Sequence, residues 1–330
     1  MAVDLVGTER KDLAILLADD DEAIRDLVSD TLRQRGFTDV TVARDGVEAI
    51  EAVRRYRYDM VLLDLRMPRV GGEEVFDTVV SMYGDDVVVL VATGHATVEQ
   101  AVDLMRRGVY DYIVKPFRIR DLVTAVERAE QRCYHLRELA DSMELIFTLV
   151  RLMESKDPYL RNHSARVRDY AVNMARGMGL GSRDIKLLEY AALLHDVGKA
   201  AIDLRILHKP GPLTSDEWTL VKRHPVISRD VISPVKHLSR ILPSVYFHHE
   251  RYDGSGYPEG LTGDEIPLSA RVLGLADAYD AMTSDRPFRC AMAPEQALRS
   301  LDDDSGVLWD PSVVASMHAV APKVSLMVPA

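Results

Sequence analysis

Residues 248–289 read HHERYDGSGYPEGLTGDEIPLSARVLGLADAYDAMTSDRPFR, and residues 195–199 read HDVGK. Both segments put imidazoles beside carboxylates, and the lysine follows its His-Asp pair by about one helical turn. Such groups suit divalent metals that activate water for phosphoester hydrolysis. Apolar residues at spacings of three and four predict helices over 164–176 and 183–194. The second half shows no convincing strand pattern, so we expect an all-α metallohydrolase domain there.

The candidate metal ligands are all imidazoles and carboxylates: His163, His195, Asp196, His224, His248, His249 and Asp277. A lone histidine is more often structural, but two adjacent histidines together with a His-Asp pair are hard to explain in that way. Nitrogen and oxygen ligands without thiolates suit iron, manganese, zinc, nickel or cobalt. Because a carboxylate can bridge two cations, this number of ligands predicts a binuclear centre.

Nearly all of residues 150–320 resembles the HD-GYP family of cyclic di-GMP phosphodiesterases. The resemblance is carried by KDPYLRNHSARV at 156–167, LLHDVGKAAID at 193–203, VKRHPVIS at 221–228 and the stretch at 248–289. By position, it assigns His163, His195, Asp196 and Asp277 to one metal. It assigns His224, His248 and His249 to the second metal, with Asp196 as the bridging catalytic carboxylate.

The same resemblance implies further roles near the substrate. Lys199 would stabilise the charge that develops on the phosphate, and Arg286 and Arg289 would bind phosphate. Tyr257, on a loop whose turn residues predict a tight exposed bend, would line the substrate site or contact GGDEF-domain proteins.

Two positions depart from the family pattern. Tyr159 stands where some members carry a glutamate that helps to bind a third metal, and Glu154 lies a helical turn away. We therefore expect two metals and a product that stops at linear pGpG, with slow conversion to GMP at most. Ser228 replaces a usual glycine, and we expect only a minor packing effect from it.

The first 118 residues alternate short apolar runs with amphipathic helical patterns. The runs predict strands at 13–18, 40–43, 60–63, 87–92 and 110–114. Helices between them predict a doubly wound α/β fold with a parallel five-stranded sheet. Ligands of such folds gather at the carboxyl ends of the strands. The polar residues at those ends are Asp19, Asp20, Asp64, Thr93 and Lys115.

These residues resemble the response-regulator receiver domain. The matching text is ILLADDDEAIR at 15–25, VLLDLRMPRVGG at 61–72, VATGHAT at 91–97 and DYIVKPF at 111–117. The resemblance implies that a histidine kinase phosphorylates Asp64, and that Asp19, Asp20, Asp64 and the backbone carbonyl of Arg66 hold Mg²⁺. It also implies that Lys115 and Thr93 contact the phosphoryl group, that Tyr112 is the mobile switch aromatic, and that the 115–116 bond is cis.

A regular apolar spacing joins the two halves. Alternating steps of four and three connect Leu122, Val126, Ala129, Cys133, Leu136, Ala140, Met143, Phe147 and Val150. This is the seam of a coiled coil and predicts a parallel homodimer. The alternative is a single amphipathic helix packed on its own domain. We expect a receiver at 1–118, a linker helix at 119–150 and the HD-GYP domain at 142–330.

Composition limits the function classes. The chain has 330 residues and a formal net charge of −11, which argues against nonspecific DNA or membrane binding. No helix-turn-helix pattern follows residue 118, and no apolar run reaches about 18 residues. Cys133 and Cys290 are the only cysteines, which favours a reducing cytoplasm. Two alternatives to the cyclic di-GMP phosphodiesterase remain: a catalytically weak scaffold or sensor, and a hydrolase of another 3′,5′-linked cyclic dinucleotide.

Overall fold

The computed structural model describes residues 11–94, 98–155, 162–285 and 290–324. The chain divides into two compact units, Met1–Ser142 and Met143–Ala330. The boundary falls inside a long helix rather than in a loop. Each unit has its own hydrophobic core.

The first unit is a parallel sheet covered by helices. Its strands are β1 (Lys11–Ala18), β2 (Phe37–Ala43), β3 (Met60–Asp64), β4 (Val88–Thr93) and β5 (Asp111–Val114). Its helices are α1 (Glu22–Gln34), α2 (Gly46–Arg55), α3 (Gly72–Tyr83) and α4 (Val98–Arg107). The strand order is β2-β1-β3-β4-β5, with all neighbours parallel. The predicted five-stranded α/β fold is confirmed.

Apolar residues on the two faces of the sheet form two separate clusters. Leu13, Ile15 and Leu17 of β1 contribute to one cluster, whereas Leu16 and Ala18 contribute to the other. Since successive side chains of a strand point to opposite faces, this division explains why the buried strands read as continuous apolar runs. The register aligns Asp64 with Ala92, so the carboxyl ends of β3 and β4 meet at one edge.

Asp21 begins α1. Its side chain accepts hydrogen bonds from the backbone N–H groups of Ala23 and Ile24, at 2.9 and 3.4 Å. An N-cap of this kind satisfies donors that the first turn of a helix leaves unpaired. Asp21 therefore has a structural role outside the acidic cleft.

The long helix α5 (Ile119–Glu154) packs its apolar residues within the chain. Leu122, Val126, Ala129 and Cys133 belong to a core cluster of the first unit. Met143 and Val150 belong to the core of the second. The seam that predicts a coiled coil is therefore mostly occupied by intramolecular packing, as in the alternative interpretation of the spacing.

The second unit is helical. Beyond the end of α5 its helices are α6 (His163–Gly177), α7 (Ser182–Leu194), α8 (Leu204–Leu207), α9 (Ser215–Val221), α10 (His224–Ile232), α11 (Leu242–Phe247), α12 (Leu268–Thr283), α13 (Pro294–Asp303) and α14 (Pro311–Val324). Within the described residues of this unit, β pairing is limited to isolated bridges. The all-α expectation is confirmed.

The core of the second unit is apolar and closely packed. Tyr170 and Tyr279 meet edge to face, with ring centroids 5.0 Å apart. Such pairs stabilise by about 0.5–1.5 kcal/mol beyond the burial of their area. In the described part of the chain, no helix has the length and apolar character needed to cross a membrane.

Candidate functional site

The receiver-like unit gathers its acidic residues at one edge of the sheet. Oxygens of Asp19, Asp20 and Asp64 lie within 4.8 Å of one another, which suits a hard cation such as Mg²⁺. Asp19 and Asp64 are buried, whereas Asp20 is exposed. Lys115 donates to Asp19 at 2.5 Å and to Asp64 at 2.6 Å.

Burial and charge pairing act against each other in this cleft. Burial raises the pKa of Asp19 even though Lys115 donates to it. Burial alone would lower the pKa of Lys115, but its bonds to Asp19 and Asp64 raise it. The lysine therefore stays cationic, as a partner of a phosphorylated carboxylate must.

The other receiver residues lie around Asp64. Thr93 is 1% exposed at the end of β4, and Tyr112 is 40% exposed on β5. The backbone N–H of Arg66 donates to Asp64 at 3.0 Å. A side chain at Gly72 would collide with the carbonyl oxygen of Asp64, so glycine keeps the loop after β3 against the strand. The 115–116 bond is cis, as expected.

Helix ends bring the histidines of the second unit together. His163 and His224 begin α6 and α10, His195 follows α7, His248 and His249 follow α11, and Asp277 lies inside α12. Two glycines permit the segments that carry these histidines to pack closely against each other and against α12. A Cβ on Gly198 would lie 2.3 Å from the carbonyl oxygen of His224, and one on Gly274 would lie 2.2 Å from that of His248.

Hydrogen bonds to the Nδ1 atoms decide the tautomer of the histidines. Nδ1 of His195, His224 and His248 donates to the backbone carbonyl three residues earlier, at 2.8, 2.8 and 2.7 Å. The N–H is then on Nδ1, so Nε2 presents a lone pair, the form in which histidine binds metals. Nε2 of His163 and of His195 is buried without a hydrogen-bond partner.

The ligand atoms form two groups that share one carboxylate. His224, His248 and His249 are one group, and His163, His195 and Asp277 are the other. Asp196 lies between them. Its Oδ1 is 3.2 Å from Nε2 of His224, and its Oδ2 is 3.5 Å from Nε2 of His163 and 3.4 Å from that of His195.

The donor set fits divalent metals. Nε2 of His224 lies 3.1 Å from Nε2 of His249 and 3.4 Å from Nε2 of His248. Nε2 of His224 and Nε2 of His248 both present lone pairs, and two such lone pairs at this distance repel unless a cation lies between them. The orphaned nitrogens and the oxygen placement of Asp196 are what two neighbouring metal ions require.

Charge differs between the two groups. Burial alone would lower the pKa of His163, but the neighbouring carboxylates of Asp196 and Asp280 raise it to about 9. Burial and the imidazoles of His195 and His224 lower the pKa of His248 to about 3. One group thus lies among carboxylates, and the other consists of imidazoles alone.

Lys199 and Tyr257 border this centre. Lys199 donates to Oδ2 of Asp196 at 2.5 Å. The ring of Tyr257 stacks on that of His249, with centroids 4.8 Å apart and planes at 28°. Burial and the carboxylates of Asp277 and Asp196 raise the pKa of Tyr257, so its hydroxyl stays protonated. The exposed part of its loop is formed by Asp253, Ser255, Glu259 and Gly260.

Three supporting residues were not predicted from the sequence: Asp280, Arg166 and Glu250. Asp280 is 1% exposed, accepts from Nδ1 of His163 at 2.7 Å and binds Arg166 through both oxygens. It lies one helical turn after Asp277, a spacing that could have indicated it. Glu250 accepts from the backbone N–H groups of three loop residues, Glu259, Gly260 and Leu261.

Ser228 does more than pack. Its hydroxyl accepts from the backbone N–H of Gly198 at 2.8 Å and donates to the carbonyl of His195 at 2.7 Å. It therefore ties α10 to the His195-Asp196 segment, and the expectation of a minor packing effect is wrong. Arg286, Arg289 and Tyr159 lie outside the described residues.

The fold and the two sites define a class of protein: a receiver joined to a metal-dependent hydrolase of the HD type. A family model described as a response regulator receiver domain matches residues 15–127, and one described as an HD domain matches residues 148–313. The chain belongs to the family of response regulators that carry an HD-GYP output domain.

Several curated relatives match long stretches of the chain. The chain is 34% identical over 297 residues to the cyclic di-GMP phosphodiesterase response regulator RpfG of Xanthomonas campestris pv. campestris, covering 83% of this chain and 78% of the relative. It is 31% identical over 332 residues to a cyclic di-GMP phosphodiesterase of Thermotoga maritima, covering 92% and 89%. It is also 38% identical over 170 residues to a 3′3′-cGAMP-specific phosphodiesterase of Vibrio cholerae, covering 51% of this chain and 36% of the relative.

Proposed function

We propose that this protein hydrolyses cyclic di-GMP to linear pGpG at a binuclear metal centre and that phosphorylation of Asp64 regulates the reaction. The two ligand groups that share Asp196 carry the proposal. The substrate is supported by the names of the full-length relatives from Xanthomonas and Thermotoga. The expectation that hydrolysis stops at pGpG rests on Tyr159, which replaces the glutamate of a third metal site.

His163, His195, Asp196 and Asp277 would hold one metal, and His224, His248 and His249 the other, with Asp196 shared. Iron or manganese is our first choice, and zinc, nickel or cobalt would also suit these ligands. When bound, such ions lower the pKa of a coordinated water and polarise the phosphodiester. In the receiver, Mg²⁺ would bind at Asp19, Asp20 and Asp64 with the carbonyl of Arg66.

The protein groups have separate tasks in this mechanism. Lys199, held by Asp196, neutralises the charge that grows on the phosphoryl oxygens. Asp280 accepts the Nδ1 proton of His163 and so directs Nε2 into the site. Tyr257 covers one face of His249 and excludes water from it. Arg286 and Arg289 are assigned to phosphate by the family pattern alone.

The partners follow from the same two domains. A histidine kinase would donate the phosphoryl group to Asp64, and Thr93, Tyr112 and Lys115 would respond to it. GGDEF-domain proteins would contact the exposed part of the loop around Tyr257. We also propose a homodimer through α5 and a cytoplasmic location, without DNA binding or membrane insertion.

The decisive experiment combines metal analysis of anaerobically purified full-length protein with chromatography of the products from cyclic di-GMP. We expect about two metals per chain in the HD-GYP domain and pGpG as the main product. Asp196→Asn should lose metal and turnover, whereas His318→Ala should keep both because His318 is exposed and bonds only Asp302 among the described residues. A wild-type protein that binds the nucleotide without cleaving it would be a sensor, contrary to the proposal.

A further inference from the structure

A cavity of about 240 Å³ adjoins the metal centre within the second unit. Asp196 and Lys199 contribute to its lining, and much of the rest is apolar. Met153 and Leu204 are 36% and 49% exposed, so the cavity has an open rim. A ligand in it would therefore contact both the groups around the scissile phosphate and an apolar surface.

The apolar lining comes from two segments of the chain. Val150 and Met153 lie on the last turns of α5, and Ile202, Leu204 and Leu207 lie on or near α8. Val150 and Ile202 are each 8% exposed. An apolar lining of this kind suits the faces of a nucleobase, which enzymes commonly hold between apolar or aromatic side chains.

Glu154 is a carboxylate on this wall that belongs to neither group of candidate metal ligands. It is the last residue of α5, is 8% exposed and lines the cavity. Its Oε1 accepts from the backbone N–H of Ser164 at 2.9 Å and from its hydroxyl at 2.6 Å. Among the described residues no donor reaches Oε2, and Glu154 belongs to none of the groups of candidate metal ligands.

The size of the cavity limits its occupant. Pockets for drug-sized ligands measure roughly 300–1,000 Å³, so this cavity accepts a fragment of a cyclic dinucleotide rather than the whole molecule. The fragment attached to the phosphate through the ribose is a base. A base on the wall beside Asp196 and Lys199 would share the cavity with Glu154, whose carboxylate could accept from its hydrogen-bonding edge.

We propose that Glu154 recognises guanine and makes the site selective for guanine over adenine, an inference that rests on the proposed function. The Watson–Crick edge of guanine has two neighbouring donors, N1–H and the N2 amino group, which match the free lone pairs of Oε2. Adenine offers one donor beside the N1 lone pair, which a carboxylate repels. A buried acceptor left unpaired is costly, so the wrong base is penalised twice.

The test substitutes Glu154→Gln in the full-length protein loaded with metal. Glutamine keeps an oxygen for Ser164 and puts an amino group where Oε2 was. The kcat/KM values for cyclic di-GMP, 3′3′-cGAMP and cyclic di-AMP are then compared. We expect the ratio of cyclic di-GMP to cyclic di-AMP to fall about tenfold or more, with metal content unchanged. The matched control is Glu144→Gln, an exposed glutamate on the same helix.

The remaining outcomes are separable. An equal loss for all three substrates, a loss of metal, or an unchanged ratio would overturn the role of Glu154 in base recognition. Equilibrium dialysis of the same dinucleotides with the same proteins reads selectivity without turnover. If the wild type cleaves none of them, the proposed function fails. In that case the role of Glu154 in recognising guanine would still be supported if the wild type bound cyclic di-GMP preferentially and Glu154→Gln removed this preference.

Discussion

Asp280 shows how one carboxylate outside the ligand groups can govern a metal site. It accepts from Nδ1 of His163 and is itself held by Arg166. The imidazole of this candidate ligand therefore has one orientation, with a proton on Nδ1, before any ion binds. The other described ligand histidines mostly rely on backbone carbonyls for this purpose, so His163 is the one whose basicity depends most on a side chain.

Replacing this carboxylate should weaken metal binding. We expect Asp280→Asn to lower metal affinity about 10- to 100-fold, because the neutral amide is a poorer acceptor for the His163 proton. Titration of the metal-free protein with Mn²⁺ measures the change. Asp302→Asn is the control, since Asp302 bonds the exposed His318. Equal affinities for the Asp280 and Asp302 variants would rule out the positioning role.

Ser228 gives a second prediction at the level of one residue. In Ser228→Ala the N–H of Gly198 stays buried but loses its acceptor, which costs about 1–3 kcal/mol. The urea midpoint of the second unit should fall accordingly. Ser233→Ala on the same helix end should change it little, because Ser233 is exposed. A midpoint equal to that of the control would mean that water replaces the hydroxyl.

The element that the sequence describes least completely is α5. The apolar repeat predicts the helix and its length correctly, because a period near 3.5 is a local property. The partner of its apolar face is not local. Leu122 and Cys133 pack in one unit and Val150 in the other, and the repeat alone does not distinguish such packing from a coiled coil.

A different face of α5 is available for the proposed homodimer. Leu145, Leu149 and Leu152 follow one another at one-turn spacings and are 63%, 52% and 59% exposed. If two chains pair there, replacing all three with glutamine should raise the dimer dissociation constant at least about tenfold, given the apolar area lost.

Sedimentation velocity of the full-length protein measures this constant. The matched control replaces Arg120, Thr124 and Glu127 with glutamine, which lie at the same spacing on an exposed face of the same helix. A wild type that remains monomeric at high micromolar concentration would exclude the dimer. If the dimer is equally stable in both triple variants, its interface does not include Leu145, Leu149 and Leu152.

At the scale of the whole molecule, the regulation that we propose could pass along α5, because this helix runs unbroken from the first unit into the second. We expect beryllofluoride, a mimic of the phosphoryl group, to change the turnover of the wild type and to leave Asp64→Asn unchanged. Insertions between Ala140 and Asp141 test the helix itself. An insertion of seven residues rotates the downstream part of the helix to within about 20° of its original direction, whereas an insertion of five rotates it by about 140°.

The seven-residue insertion should therefore keep more of the response to beryllofluoride than the five-residue one, although both lengthen the helix. Basal turnover without beryllofluoride is the internal control for each protein. Equal responses in the two insertions would show that rotation of the helix does not carry the signal. An identical turnover of the wild type with and without beryllofluoride would remove the coupling altogether.

Features that depend on local sequence patterns could be predicted, whereas features that depend on contacts between distant segments could not. The strands and the acidic cleft follow from local patterns, because parallel strands bring their carboxyl ends to one edge. The histidine clusters could be proposed from residue chemistry. The roles of Ser228 and Glu154 could not, since each acts through a partner on another element, Gly198 and Ser164. The one-turn spacing after Asp277 indicates Asp280, but its bond to His163 on another helix is not visible in the sequence.

The boundary between the two units determines where a truncated protein that contains only the second unit should begin. The HD family match begins at residue 148, yet Met143 is in the core of the second unit, and the Phe147 ring lies 5.7 Å from that of Tyr190. A polypeptide that starts at residue 148 would begin inside α5 and would expose to solvent the side of Tyr190 that Phe147 covers. A catalytic fragment should therefore start upstream of Met143, whatever the homology boundary.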